Sequence, residues 1–251
     1  MIELNCESID STFESMSSIY GVSVDDIRSF LIQHPLAETG EPYKELFASF
    51  EKRFGSPRKV DRVYWFHLTR SSPEADFKSG ILTLTEAWPI LQKNLENILC
   101  EPIKRERLSQ IMAGMKAEYH VPSRKNVCAI LVKEAASRSE EMRTRDYLKI
   151  PDVIEAICNK YQNQYGEDIQ NKVLKSFVPY IVKFWDDKWK SDYAKAALFY
   201  LRSILHGEDL SFDANRCFFS EWNIPKDRIV TVEKVHLHHI RKFSHTSRCP
   251  P

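Results

Sequence analysis

The stretch VYWFHLTRSSPEADFKSGIL, residues 63–82, places a histidine in the middle of a run of aromatic and β-branched residues. Such residues favour a β-strand, and alternation along it puts Trp65, His67 and Thr69 on one face. Both faces of the strand carry bulky side chains, which predicts a central strand. A histidine in a central strand needs a hydrogen-bond partner from the protein or from a ligand. His67 is therefore a packed core histidine or part of a binding site.

The chain before this stretch, residues 1–57, is predicted to form a separate helical region. Residues 12–34 have apolar residues at helical spacing, interrupted by a Tyr-Gly-Val turn, which is the outline of a helix-turn-helix. Ser23 is expected to cap the second helix. That helix begins with Asp25 and Asp26, which suit the helix dipole but would repel phosphate. The favoured interpretation is a docked helical cap, and a DNA-binding regulator using residues 12–34 stays open as an alternative.

Residues 58–251 are predicted to form one domain in which strands and helices are mixed without regular alternation. This pattern favours an α+β fold over a doubly wound α/β sheet. The segment that follows the histidine strand is predicted as a helix, because Thr83 and Glu86 have capping-box spacing and Pro89 falls near the first turn. The seven glycines form no phosphate-binding motif of the dinucleotide or P-loop type.

Composition narrows the possible functions further. The 251 residues carry 36 basic and 35 acidic side chains, so no global field would attract nucleic acid or anionic lipid. The six cysteines contain no C-x-x-C pair, and a reduced cytoplasmic setting is expected. No signal peptide and no membrane-spanning run is recognised, so a soluble protein is expected.

A second unusual stretch, RCFFSEWNIPKDRIVTVEKV, residues 216–235, is typical of two strands joined by a turn. Glu221 stands at the end of the first strand, next to aromatic residues. A carboxylate in apolar surroundings is costly unless it is paired or bound to a ligand. The alternative is that the strand has ended and the side chain is solvated.

Together the two stretches resemble the histidine-type branch of the ADP-ribosyltransferase superfamily, which includes poly- and mono-ADP-ribosyltransferases, diphtheria-like toxins and bacterial toxins that modify DNA or RNA. In that family an early strand carries a histidine, a hydroxyl residue follows, and a Gly-Ile-Leu segment begins a helix. Near the end of the domain, the catalytic glutamate is followed by an I-P-x-x-x-I turn. The matching residues are His67, Thr69, Gly80, Ile81 and Leu82, then Glu221, Ile224, Pro225 and Ile229.

The resemblance implies a split β-sheet core and NAD as the substrate whose nicotinamide–ribose bond is cleaved. It implies that His67 hydrogen-bonds the nicotinamide ribose and that a backbone group of Leu68 or Thr69 holds the carboxamide. It also implies that Glu221 bonds the ribose 2′-hydroxyl and stabilises the developing positive charge, a role suited to a preorganised carboxylate. His67 and Glu221 are further apart in sequence than in compact members, so a helical insertion around residues 90–170 is expected.

The family's stacking tyrosine is not marked by a local motif. Tyr119, Tyr147 and Tyr193 are candidates, and Tyr147 is preferred because its neighbours are polar. Phe219 stands two residues before Glu221, which disfavours the arginine-modifying pattern. The resemblance therefore implies a macromolecular acceptor, either nucleic acid or protein. A bacterial toxin or defence effector restrained by an inhibitory antitoxin-type partner is the expected setting.

A non-enzymatic adaptor with a degenerate version of the fold is the main alternative to an enzyme. The missing tyrosine motif and the few glycines support it. His236 and His238 lie on one face of a predicted strand, with His239 opposite, and could share a metal. No third ligand is indicated, and a solvated edge strand is favoured. No metal is expected. No serine has an activating histidine beside it, so a serine hydrolase is set aside.

Overall fold

The computed structural model describes residues 1–34, 42–119, 126–142 and 145–236 as a mixed α+β fold. This agrees with the fold class expected from the sequence. In chain order the elements are β1 (Glu3–Leu4), α1 (Ile9–Tyr20), α2 (Val24–Gln33), α3 (Pro42–Phe54), β2 (Arg62–Ser71), α4 (Leu84–Leu99), α5 (Pro102–Tyr119), β3 (Val127–Ile130), α6 (Asp152–Tyr165), α7 (Gln170–Ser176), β4 (Val178–Asp186), α8 (Ser191–Leu205), β5 (Cys217–Ser220) and β6 (Ile229–Lys234).

The strands form one sheet in the order β5-β3-β2-β4-β6, and β1 pairs in parallel with the start of β2. All other pairings are antiparallel. The histidine strand β2 is central, as its two bulky faces predict, and it pairs with β4 along most of its length. The strand that precedes Glu221, β5, lies at one edge and is separated from β2 by β3 alone.

The main core lies on the face of the sheet that carries Trp65. The Trp65 ring packs against Tyr193 of α8 at 5.1 Å and against Phe218 of β5 at 5.3 Å between ring centroids. Leu4 and Phe13, from the N-terminal 57 residues, belong to the same buried cluster. The segment predicted as a helical region therefore also supplies a strand to the sheet and shares its core.

The helix-turn-helix outline corresponds to α1 and α2. Ser23 caps α2, as expected, because its hydroxyl accepts from the Asp26 backbone N–H at 3.1 Å. Ile27 and other apolar residues of α2 are buried, whereas Asp25 and Asp26 are exposed. The solvent face of the helix that would have to read DNA is thus acidic at its N-terminus.

Helices α4 to α7 build a second apolar cluster that includes Trp88, Met112, Tyr161 and Phe177. These helices occupy the region in which a helical insertion is expected. They are tied to the sheet through Arg70 of β2, which is buried. The Arg70 guanidinium donates to the carbonyls of Leu148 at 2.8 Å, Leu174 at 2.6 Å and Phe177 at 2.5 Å.

No helix in the described ranges is long and apolar enough to cross a membrane.

Candidate functional site

A cleft of about 360 Å³ lies between the sheet and the helical cluster. Its size is in the range of small-molecule sites, and its position between two packed units is typical of them. The side chains that line it come from the end of β2, the loop after it, and the helices α4 and α6. The residues relevant to the motifs are His67, Thr69, Gly80, Ile81 and Leu82, and the helices add Leu84, Ile90, Val153 and Ile154.

His67 is held in one orientation by a backbone contact. Its Nδ1 lies 2.7 Å from the carbonyl oxygen of Cys128 in the neighbouring strand β3. Because a carbonyl can only accept, Nδ1 carries the proton and donates, which leaves Nε2 as an acceptor in the neutral ring. Burial lowers the pKa of His67, and the hydrogen bond to Cys128 opposes this only in part. The geometry therefore offers a neutral imidazole whose free nitrogen can accept from a hydroxyl.

The loop between β2 and α4 is anchored by Tyr180 of β4, which pairs with Thr69. The Tyr180 hydroxyl lies 3.0 Å from the carbonyl oxygens of both Ser72 and Pro73. Phe77 packs edge-on against the Tyr180 ring at 5.5 Å and has a φ of +50°, an uncommon value for a bulky residue. One buried tyrosine thus sets the path of the loop that forms the cleft wall.

The two stretches that carry the family resemblance pair with each other directly. The backbone N–H of Ile81 donates to the carbonyl of Ile224, and the N–H of Ile224 donates to the carbonyl of Ile81, both at 2.9 Å. Gly80 has a φ of +85°, and a Cβ at this position would lie 2.1 Å from the Ile224 carbonyl oxygen. Only glycine allows this approach without a shift of the backbone.

Asn223 strengthens the same junction from the other side. Its Oδ1 accepts from the Thr83 backbone N–H at 2.7 Å, and its Nδ2 donates to Glu86 Oε2 at 2.7 Å. Thr83 precedes α4 as expected but makes no side-chain cap hydrogen bond. The predicted capping box is therefore wrong, because Glu86 and the Thr83 amide are engaged by a residue 137 or more positions later in the chain.

Glu221 lies in the bend that follows β5. Its side chain is exposed and is not among the described lining residues of the cleft. Ser220, the last residue of β5, pairs with Val127 of β3. The register set by the Phe66–Ile130 pair places Val127 opposite Thr69 of β2. The end of β5 is thus level with Thr69 and separated from it by two strand spacings, roughly 10 Å. Alternation would place Glu221 on the opposite face from His67, but the strand ends at Ser220.

The other predicted site residues are spread over several places. Leu68 faces away from Thr69 and packs with a small cluster around Phe66 and Ile181. Tyr147 is half-buried, and its hydroxyl lies 3.5 Å from Asp152 Oδ2. Burial, followed by the Asp152 charge, raises the pKa of Tyr147. Tyr147 does not line the cleft in the described part of the chain.

The other candidate tyrosines and the C-terminal histidines lie in separate parts of the chain. Tyr193 is buried in α8 against Trp65. Tyr119 is the last residue of α5, and its side chain lies outside the described part. His236 follows β6, whereas His238 and His239 lie outside the described residues. The structure therefore gathers His67 and Thr69 with the Gly-Ile-Leu segment and leaves Tyr147 and Tyr193 elsewhere.

Comparisons of the chain with models of known protein families, with curated proteins and with solved structures find no match. Within the described ranges, no group of three or more histidine, cysteine or acidic side chains could hold a metal ion. The function must therefore be argued from the cleft and from the two stretches that meet at its rim.

Proposed function

We propose that the protein is an NAD-dependent ADP-ribosyltransferase that transfers ADP-ribose to a macromolecular acceptor. The observation that carries the proposal is the paired Ile81–Ile224 backbone, because it joins the histidine stretch and the glutamate stretch at the rim of one cleft. The two stretches are far apart in sequence, and nothing in either predicts this contact. The central histidine strand, with the glutamate at the end of a strand two places away, also fits a split-sheet core of this class.

His67 would bind the sugar of the nicotinamide riboside. Its neutral ring offers Nε2 as an acceptor, so a ribose hydroxyl donates to it while Nδ1 stays bonded to Cys128. The backbone of Leu68 or Thr69 would hold the carboxamide. The apolar side chains of Leu84, Ile90 and Val153 limit water in the cleft, which strengthens these polar contacts.

Glu221 would stabilise the positive charge that develops on the ribose as the nicotinamide leaves. The end of β5 is level with Thr69, so a ribose bound at His67 is two strand spacings, roughly 10 Å, across the sheet and two residues, roughly 7 Å, along it from that end. The long glutamate side chain and the sugar itself would have to span that gap. Stabilisation of an oxocarbenium-like transition state by a carboxylate, by several kcal/mol, is a typical electrostatic contribution.

The decisive experiment incubates the purified chain with NAD labelled in the adenylate portion and with separate pools of DNA, RNA and protein. Transfer of label to one pool, with release of nicotinamide, is expected. Glu221→Gln should abolish both while the thermal melt is unchanged, and Asp227→Asn, an exposed acid on the following turn, should keep full activity. Full activity in Glu221→Gln, or no NAD turnover with any pool, would overturn the proposal.

If the proposal is correct, the setting is that of a toxin or defence effector, with an inhibitory partner restraining NAD consumption in the producing cell. This part rests on the family resemblance. Co-purification of a neighbouring gene product that blocks nicotinamide release would support it.

A non-enzymatic binding protein is the second candidate, favoured by the exposed position of Glu221 outside the cleft lining. In that case the cleft binds a ligand without cleaving it. Isothermal titration with NAD separates the two. Absence of binding at millimolar NAD, together with unaltered partner binding in His67→Ala, would support the adaptor.

A further inference from the structure

Two cysteines are neighbours on the face of the sheet opposite to His67. Cys217 of β5 pairs with Ile130 of β3, two residues after Cys128. Because opposite and alternate residues of an antiparallel pair share a face, both thiols project on the same side. Ile130 also pairs with Phe66, the residue before His67, so this side is not the one that carries the histidine. Neither cysteine is among the described lining residues of the cleft.

The two thiols form one cluster that is open to solvent. Both cysteines are free and exposed. Burial of the Cys128 sulfur is the main cause that raises its pKa, and the charge of Cys217 adds to this. The charges of both thiols also act on the pKa of Tyr147, after its burial and the charge of Asp152. Charges act over about 10 Å at moderate ionic strength, so the two sulfurs and the Tyr147 hydroxyl share one neighbourhood.

The strand register sets the spacing of the two thiols. Cys128 and Cys217 occupy diagonal positions of neighbouring pairs, where the Cα atoms are about 7–8 Å apart. A disulfide needs Cα atoms within about 6.8 Å, so this pair does not close without a shift of the backbone. Two metal–thiolate bonds of about 2.3 Å each span about 4.6 Å, which fits between side chains that lean toward each other. The spacing therefore favours an ion held between the sulfurs over a direct bond.

The number and type of ligands select the kind of ion. Structural zinc takes four ligands, whereas no group of three or more histidine, cysteine or acidic side chains surrounds a metal position in the described ranges. Thiolates are soft ligands that select Cu(I), and Cu(I) is satisfied by two of them in a line. Burial raises the pKa of Cys128 to about 11 and also raises that of Cys217. An ion that binds here must displace both protons, which requires a high affinity for thiolate.

We propose that Cys128 and Cys217 bind one Cu(I) ion between them as a two-coordinate thiolate complex. Two bonds from sulfur to copper form as two S–H bonds break, and the two protons pass to water. Copper and sulfur keep their oxidation states, so no oxidant or reductant takes part. The complex carries one negative charge, and the Arg216 guanidinium acts on Cys217 in the direction that favours its thiolate. The site does not depend on the reaction proposed for the cleft.

Binding is measured without oxygen, by competition for Cu(I) between the reduced protein and a chromogenic Cu(I) chelator. The wild-type chain is expected to retain one ion. Cys128→Ser and Cys217→Ser should each lose it, because a single thiolate does not complete the complex. Cys100→Ser removes an exposed thiol just after α4 and should leave binding unchanged. Retention of the ion by either of the first two variants, or its loss in Cys100→Ser, would overturn the proposal.

Two measurements on the wild-type chain need no variant. X-ray absorption of the copper-loaded protein should show two sulfur neighbours, and three or more neighbours would refute the two-coordinate site. Mass spectrometry after exposure of the metal-free protein to air should find Cys128 and Cys217 still free, since a disulfide between them would contradict the spacing on which the proposal rests. Each result is independent of NAD cleavage, so failure of the copper site leaves the proposed function standing, and the reverse holds as well.

Discussion

Replacement of Gly80 by alanine tests the junction between the two stretches. The residue has a φ of +85°, and the added Cβ would meet the Ile224 carbonyl oxygen at 2.1 Å. Left-handed backbone costs a residue with a side chain about 1–2 kcal/mol. If the clash also separates the Ile81–Ile224 pair, two hydrogen bonds that contribute about 1 kcal/mol each are lost. The expected loss of unfolding free energy is therefore about 3–4 kcal/mol.

Gly55→Ala is the matched control, because Gly55 has a φ of +84° and nothing lies within 4 Å of the position that the added methyl group would take. It should cost only the backbone strain, about 1–2 kcal/mol. Urea denaturation of both variants gives the difference, and hydrogen exchange shows whether the Ile81 and Ile224 amides lose protection in Gly80→Ala alone. Equal destabilisation by the two variants, or retained protection of these amides, would refute the reasoning about the junction.

Two further perturbations follow from the site. Burial lowers the pKa of His67 below its ordinary value of 6.5. Below about pH 6.5 the unfolded chain therefore binds a proton at His67 that the folded chain does not bind. The free energy of unfolding should fall as the pH drops through this range. His67→Gln should remove this share of the acid sensitivity in urea titrations at pH 7.5 and about 5.5, and an unchanged pH dependence would contradict it. Arg70→Met leaves four carbonyls without their donor and should cost about 3 kcal/mol, with faster proteolysis of the α4–α7 cluster. A loss below about 1 kcal/mol would contradict that role.

Several local features of the fold are predictable from the sequence. The alternation of bulky residues predicts β2 as a strand and its place in the middle of the sheet. Ser23 followed by two aspartates predicts the start of α2, because capping and the helix dipole act within one turn. In both cases the residues that determine the structure are neighbours in sequence.

Features that depend on distant residues were not predictable. Thr83 and Glu86 have the spacing of a capping box, yet Asn223 takes the bonds that such a box would make. Arg70 gives no sequence signal for its role, since its four carbonyl acceptors lie 78 to 107 positions away. The polar neighbours that favour Tyr147 are Arg145 and Asp152, which form an ion pair with each other.

The sequence by itself determines the periodicity of the elements, several of their ends and the two stretches that carry the family resemblance. The tertiary structure alone decides that Ile81 meets Ile224, that His67 bonds to Cys128 and that Glu221 stands about two strands from the histidine. The physical reason is that propensity and capping act over a few residues, whereas strand order is set by burial of apolar surface summed over the whole core.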